Sequence, residues 1–98
     1  MATPKTILII DDDDDLREAL AEQLNLHEEF KTQQAATATD GARMGREIRA
    51  DLILLDVDLP DMDGREACRL IRKAGVSTPV IMLTAQSSDS DAILGLDS

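Results

Sequence analysis

The chain has 98 residues, of which 20 are acidic and 10 are basic, and its formal net charge is −10. This length suits one domain, and a hydrophobic fraction of 43% is too high for a disordered chain. The apolar runs are too short for a membrane span, the net charge argues against a nucleic-acid-binding surface, and one cysteine provides no disulfide framework.

Four segments are predicted to be strands. Three of them are apolar runs without alternation, which is typical of strands buried on both faces of a parallel sheet. The other contains polar residues, and we interpret it as an outer strand. In chain order, the predicted strands cover residues 7–10, 30–36, 52–55 and 80–83.

Helical patterns alternate with these strands. The first helix begins among acids that suit a capping box of Asp15 and Glu18, and the second is expected behind an Asp40–Gly41 turn. The fourth is short and amphipathic. The predicted helices cover residues 16–24, 39–49, 67–74 and 87–96. This order indicates an α/β fold with parallel strands and with helices on both faces of the sheet.

The negative charge is concentrated in two stretches that follow predicted strands. Residues 11–15 are five consecutive aspartates, and four more lie within the eight positions that begin at Asp56. In a parallel sheet the carboxyl ends of the strands lie at one edge, where ligands bind. We therefore expect Asp11, Asp12, Asp56 and Thr84 to converge on one crevice, and the rest of the first stretch to cap a helix and face solvent.

Carboxylates placed this closely repel one another unless a cation neutralises them. A site made of carboxylate, water and phosphate oxygens suits Mg²⁺ better than a complete Ca²⁺ cage. A carboxylate is also a nucleophile towards phosphorus, and the Thr84 hydroxyl with the backbone N–H groups of Val57 and Ala85 would donate to phosphoryl oxygens. The residue types therefore favour phosphoryl transfer onto an aspartate, with Asp56 as the acceptor.

Three segments resemble the receiver domains of two-component response regulators. They are ILIIDD with the following DLREAL, then DLILLDVDLPDMDG, then TPVIMLTA, at residues 7–20, 51–64 and 78–85. The middle segment is the most specific, because Pro60 and Gly64 follow Asp56 at the spacing of the family. The resemblance implies a flavodoxin-like, doubly wound parallel sheet with the strand order 2-1-3-4.

The resemblance also implies the roles of the acidic residues. Asp56 matches the phosphoacceptor of the family. Asp11 and Asp12 match the acidic pair that holds Mg²⁺ together with it. Asp58 matches the position whose backbone carbonyl completes the metal coordination, although an acid is unusual there.

Two further positions match the family's switch. Thr84 matches the hydroxyl that moves towards the phosphoryl group, and Ala85 the residue whose backbone N–H contacts that group. Family members take the phosphoryl group from a sensor histidine kinase or a phosphotransfer protein. The resemblance thus implies a cytoplasmic signalling domain that catalyses at most its own phosphorylation and dephosphorylation, with no nucleic-acid or membrane contacts of its own.

The end of the chain departs from the family pattern. Family members carry a lysine at the end of a fifth strand, then a proline and a fifth helix, and this sequence ends at Ser98 before these features. We interpret residues 1–98 as an incomplete receiver domain without the fifth strand, the fifth helix or an output domain. The strand at 80–83 is then expected to be an exposed edge through which the chain self-associates.

Three other functions compete with this one. A receiver-like interaction module would keep the fold without accepting phosphate. A phosphatase of the haloacid dehalogenase type would use Asp56 and Asp58 as nucleophile and general acid, but its acidic strand comes first in the fold and its catalytic lysine has no counterpart here. A calcium-binding EF-hand loop is disfavoured because Leu59 and Leu70 occupy positions that require acids.

Overall fold

The computed structural model describes residues 3–83 and the backbone of residues 93–97. These residues form β1 (Lys5–Ile10), α1 (Asp14–Asn25), β2 (Phe30–Ala35), α2 (Ala38–Ile48), β3 (Leu52–Asp56), α3 (Gly64–Lys73), β4 (Val80–Leu83) and β5 (Ile93–Asp97). The four strands and the first three helices predicted from the sequence are therefore present. None of these three helices is long and apolar enough to cross a membrane.

The strands form one sheet in the order β2-β1-β3-β4-β5. β1 to β4 pair with one another in parallel, which confirms the predicted α/β class and the strand order 2-1-3-4. In the pairing of β1 with β3, Ile7 lies beside Leu52 and Ile10 beside Leu55. The residues that follow β1 and the last residue of β3 are therefore neighbours at one edge of the sheet.

Both faces of β1 are buried from Ile7 to Ile10, as this unbroken apolar run predicted. Leu8 and Ile10 belong to the core that includes residues of α2 and α3, whereas Ile7 and Ile9 pack with α1 on the other face. Burial of one side chain of this size contributes about 1.5–3 kcal/mol to stability. The two cores fix the strand that leads into the acidic run.

α1 begins earlier than the predicted capping box. Asp13 has an extended backbone and its carboxylate accepts a hydrogen bond from the backbone N–H of Leu16 at 3.1 Å, so Asp13 is the N-cap. The prediction that Asp15 and Glu18 form a capping box is wrong, because Asp15 already lies within the first turn.

The predicted Asp40–Gly41 turn is also wrong, because both residues lie inside α2. Thr37 caps this helix, its hydroxyl accepting from the backbone N–H of Asp40 at 3.1 Å. A Cβ placed on Gly41 would lie 2.8 Å from Cγ1 of the buried Ile10. The glycine at this position therefore reflects close packing of α2 on β1.

The segment that follows β4 differs most from its prediction. From the sequence, residues 93–96 are expected to end a helix over 87–96. Instead, residues 93–97 form β5, which pairs antiparallel with β4 so that Ile81 lies beside Leu96. Residues 87–92 lie outside the described part of the chain. Pairing satisfies backbone N–H and C=O groups that an open edge of β4 would leave unpaired.

β5 corrects one expectation about the sheet edge. It runs antiparallel to β4, so it differs from the family's fifth strand, which the resemblance places in a parallel sheet. The outer edge of β4 (Val80–Leu83) is therefore covered, and self-association through an exposed fourth-strand edge loses its structural basis.

Two glycines of α2 should respond in opposite ways to the same substitution. We expect Gly41→Ala to lower the free energy of unfolding by about 1 kcal/mol, because the overlap with Ile10 outweighs the gain in helix propensity. We expect Gly45→Ala to raise it by about 0.5–1 kcal/mol, because the added Cβ would lie 3.6 Å from Val76, an ordinary contact. Urea unfolding followed by circular dichroism measures both; equal effects would contradict the packing at Gly41.

Candidate functional site

Three aspartate side chains meet where β1 and β3 end. Asp11 directly follows β1, Asp12 is the next residue, and Asp56 is the last residue of β3. Each offers a carboxylate oxygen within 4.8 Å of the other two. Asp11 and Asp56 are buried, with exposed fractions of 4% and 6%, whereas Asp12 is exposed. The parallel pairing of β1 with β3 thus places three carboxylates at one point.

The electrostatic setting of this cluster disfavours full ionisation. The pKa of Asp56 is raised to about 6, chiefly by burial and further by the negative charges of Asp11, Asp12 and Asp58. A hydrogen bond from the backbone N–H of Asp58 opposes this rise. Burial also raises the pKa of Asp11, against a hydrogen bond of 2.9 Å from the backbone N–H of Asp13. The cluster therefore needs a nearby positive charge if all its carboxylates are to be ionised.

The loop between β1 and α1 is braced by Arg17, whose side chain is 11% exposed. Its guanidinium donates to the Asp11 carbonyl and to the Asp14 carboxylate, each at 2.7 Å, and to the side-chain oxygen of Gln34 at 3.0 Å. The backbone N–H of Asp11 donates to Ala35 of β2 at 3.1 Å. Arg17 is not evident as a site residue from the sequence, because it lies on α1 and its partner Gln34 lies on β2.

The loop between β3 and α3 folds tightly back on itself. The Val57 carbonyl accepts from the backbone N–H of Gly64 at 2.7 Å, and Asp58 forms a β-bridge with Asp63. A Cβ on Gly64 would lie 2.8 Å from the Cα of Val57, so a larger residue would push the loop away. The Val57 N–H donates to the Leu83 carbonyl at 3.0 Å. The prediction that this N–H serves a phosphoryl oxygen is therefore wrong, since sheet pairing already uses it.

Asp61 connects the same loop to α2. Its carboxylate accepts hydrogen bonds from the backbone N–H groups of Ala38 and Thr39 at 3.0 Å, and from the Thr39 hydroxyl at 2.8 Å. Burial opposes ionisation, but these hydrogen bonds prevail and lower the pKa of Asp61. Asp61 therefore accepts hydrogen bonds from the first residues of α2 and is not part of the carboxylate cluster.

The donor set of the cluster suits a small, hard cation. Carboxylate oxygens are the ligands that Mg²⁺ prefers, and three of them converge here. Asp58 lies beside the cluster on the β3–α3 loop, and its side chain is exposed. Thr84 and Ala85, the other two residues that the sequence assigns to the site, lie outside the described residues.

Comparison with known sequences gives a consistent result. The chain matches the family model of the response regulator receiver domain over residues 7–98. It is 44% identical over 93 residues to the transcriptional regulatory protein AfsQ1 of Streptomyces coelicolor, covering 95% of this chain and 40% of that protein. It is 42% identical over 92 residues to the DNA-binding response regulator MtrA of Mycobacterium tuberculosis, covering 94% and 40%. The chain thus spans 40% of the length of these curated relatives.

Solved structures show the same fold. A CheY-like response regulator receiver domain protein from Methanospirillum hungatei superposes with a TM-score of 0.78 at 32% identity, covering 90% of this chain and 70% of that one. The non-phosphorylated HemR receiver domain from Leptospira biflexa gives a TM-score of 0.73 at 31% identity, covering 89% and 69%. The flavodoxin-like architecture expected from the sequence is confirmed.

Asp56 should make the metal-free protein less stable as the pH rises. Because its pKa is higher in the folded chain than the ordinary 3.8, the folded state holds a proton that the unfolded state releases between pH 3.8 and about 6. We expect the free energy of unfolding to fall across this range by about 1–3 kcal/mol. Urea unfolding at stepped pH in a chelating buffer measures it by circular dichroism, since the chain has no Trp or Tyr.

The control for this pH dependence is Asp56→Asn, which removes the titrating group and leaves Asp61 in place. Because the pKa of Asp61 is lowered, its contribution has the opposite sign and is lost only as the pH falls towards and below 3.8. The variant should be more stable than the parent chain at pH 7 and should fall less between pH 4 and 7. An identical pH profile for the two proteins would contradict the burial of the Asp56 charge.

Proposed function

Because the chain belongs to the receiver domains of response regulators, we propose that it accepts a phosphoryl group on Asp56 in a Mg²⁺-dependent reaction and then changes conformation. The observation that carries the proposal is the meeting of Asp11, Asp12 and Asp56, whose carboxylates approach within 4.8 Å although two of them are buried. We also propose that residues 1–98 act as one receiver domain.

The carboxylates of Asp11, Asp12 and Asp56, with the backbone carbonyl of Asp58, would hold the metal. When bound, Mg²⁺ neutralises the cluster and screens the negative charge of the incoming phosphoryl group. The raised pKa of Asp56 supports this assignment, because a carboxylate that is costly to ionise alone is one that a cation stabilises strongly.

In the proposed reaction, an ionised carboxylate oxygen of Asp56 attacks the phosphorus of the donor. The new P–O bond gives an acyl phosphate, and the bond to the leaving atom of the donor breaks with its electron pair remaining on that atom. For a phosphohistidine donor the leaving atom is an imidazole nitrogen; for acetyl phosphate it is an acetate oxygen. The N–H of Asp58, which hydrogen bonds to the Asp56 carboxylate, orients the nucleophile.

We assign Thr84 and Ala85 to the recognition of the transferred group. They match the family segment TPVIMLTA and directly follow β4, whose neighbour β3 carries Asp56. A hydroxyl and a backbone N–H at this edge would donate to phosphoryl oxygens. Because the Val57 N–H already donates to the Leu83 carbonyl, the Thr84 hydroxyl and the Ala85 N–H are the donors that we assign to the phosphoryl oxygens.

We propose a sensor histidine kinase or a phosphotransfer protein as the physiological donor. The DNA-binding activity in the name of MtrA belongs to that protein, of which this chain matches 40%. The proposed role of this domain is to receive the phosphoryl group and to pass on its conformational change.

Incubation with acetyl phosphate and Mg²⁺ should add the mass of one phosphoryl group to the chain, measured by intact-mass spectrometry. We expect Asp56→Asn to abolish this addition, because an amide cannot form the acyl phosphate. The matched control is Asp15→Asn, which makes the same chemical change on an exposed residue of α1 and should be labelled like the parent chain.

Three results would overturn the assignment. Labelling that persists in Asp56→Asn places the acceptor elsewhere, and a parent chain that is never labelled supports a receiver-like interaction module. Sustained turnover of a phosphomonoester would instead favour the phosphatase alternative.

Mg²⁺ should stabilise the parent chain and weaken the pH dependence caused by Asp56. We expect saturating Mg²⁺ to raise the free energy of unfolding at pH 7 by about 1–3 kcal/mol, because only the folded state assembles the carboxylate cluster. Asp12→Asn should raise the Mg²⁺ concentration needed for half-saturation by about tenfold, a loss of about 1.4 kcal/mol in binding free energy. Asp15→Asn should leave this concentration unchanged. Equal stabilisation of the two variants would contradict a metal site at Asp12.

A further inference from the structure

A second polar cavity lies at the edge of the sheet opposite the aspartates. It is open to solvent, has a volume of about 430 Å³, and is lined by the end of α2 and by the segments that follow α2 and α3. Arg46 and Arg49 of the α2 end, Gly75 and Ser77 of the segment after α3, and Ala50 are among its lining residues. Its size is that of a small-molecule site.

The walls of this cavity are cross-linked before any ligand arrives. Arg72 of α3 donates from Nη1 to the carbonyls of Val76 and Thr78, at 3.1 and 2.6 Å. The Thr78 hydroxyl donates to the Ala50 carbonyl at 3.0 Å, which joins the segment before β4 to the one before β3. The cavity therefore has a preformed shape.

The two arginines that line the cavity are Arg46 of α2 and Arg49, which directly follows α2, and both differ from their neighbour Arg43. Arg43 forms ion pairs with Asp40 at 3.7 Å and with Glu47 at 3.1 Å. Within residues 3–83, neither Arg46 nor Arg49 has an ion pair or a side-chain hydrogen bond, although the chain carries 20 acidic residues. Their positive charges are therefore available to a ligand.

The backbone of Arg49 is in a conformation that favours glycine. It follows α2 with φ 52° and ψ 57°, the left-handed region, and it is the one residue other than glycine with a positive φ in the described part of the chain. A helix end of this kind is most stable with glycine, because a Cβ is unfavourable there. Strained positions of this type concentrate at functional sites, and here the strain places a guanidinium at the cavity.

We propose that this cavity binds a small polyanion that carries phosphate or carboxylate groups. Guanidinium groups form paired hydrogen bonds with such oxyanions, and Ser77 adds an exposed hydroxyl. The acidic run at Asp11–Asp15 lies at the other edge of the sheet, so an anion is repelled from that edge and attracted to this one. The site is separate from the phosphoacceptor and does not depend on its proposed role.

The test is calorimetric titration of the full chain with tripolyphosphate and, separately, with citrate, in metal-free buffer of low ionic strength. We expect saturable binding of at least one of them, and the stronger ligand identifies the source of the oxyanion groups. Arg49→Gly combined with Arg46→Gln should weaken binding by about tenfold or more. Arg43→Gln, the paired arginine on the same helix, should bind like the parent chain.

Stability separates this proposal from the simpler view that these arginines only complement the negative end of α2. In our proposal Arg49→Gly weakens binding and leaves the thermal midpoint unchanged or higher, because glycine relieves the left-handed strain. If Arg49→Gly instead lowers the midpoint and binds both anions like the parent chain, the arginine serves the helix and the proposal is overturned. The same conclusion follows if the parent chain binds neither anion at concentrations up to about 10 mM.

Discussion

The burial of two carboxylates at one end of the sheet is the constraint around which this domain is organised. Parallel pairing of β1 with β3 brings Asp11 and Asp56 together at the end of two largely buried strands. A core of this kind would ordinarily exclude charge, since an ionised group loses its hydration there. The chain tolerates them because nearby backbone N–H groups and Arg17 partly compensate and because a cation would complete the neutralisation. The two buried carboxylates thus lower the stability of the folded state, and the same burial makes the site attract positive charge strongly.

Much of this arrangement can be predicted from the sequence, because the site residues lie where apolar strands end. Ile7 to Ile10 and Leu52 to Leu55 are too apolar for anything but buried strands, and each is followed at once by an aspartate. The parallel topology then brings the two aspartates to one edge without any further information. The family, the fold class and the strand order follow from the same segments, and all three are confirmed.

The features that could not be predicted depend on contacts between distant residues. Five consecutive aspartates offer several helix caps, and only the backbone shows that Asp13 takes the role. Gly41 suggests a turn in isolation, whereas its real cause is Ile10 on a neighbouring strand. The segment that forms β5 has apolar residues that suit either a helix or a strand, and the open edge of β4 decided for the strand.

The β3–α3 loop also has a mechanical role. Through Asp61 it holds the first residues of α2, and through Asp63, which accepts from the N–H of Glu66 at 2.9 Å, it holds the start of α3. These two helices run from this loop to the arginine-lined cavity at the far edge of the sheet. Both helices thus connect the loop that follows Asp56 to a distant basic cavity, and any energetic coupling between the two ends must be equal in both directions. An anion that changed the affinity of the carboxylate cluster for a cation would, by the same factor, have its own affinity changed by that cation.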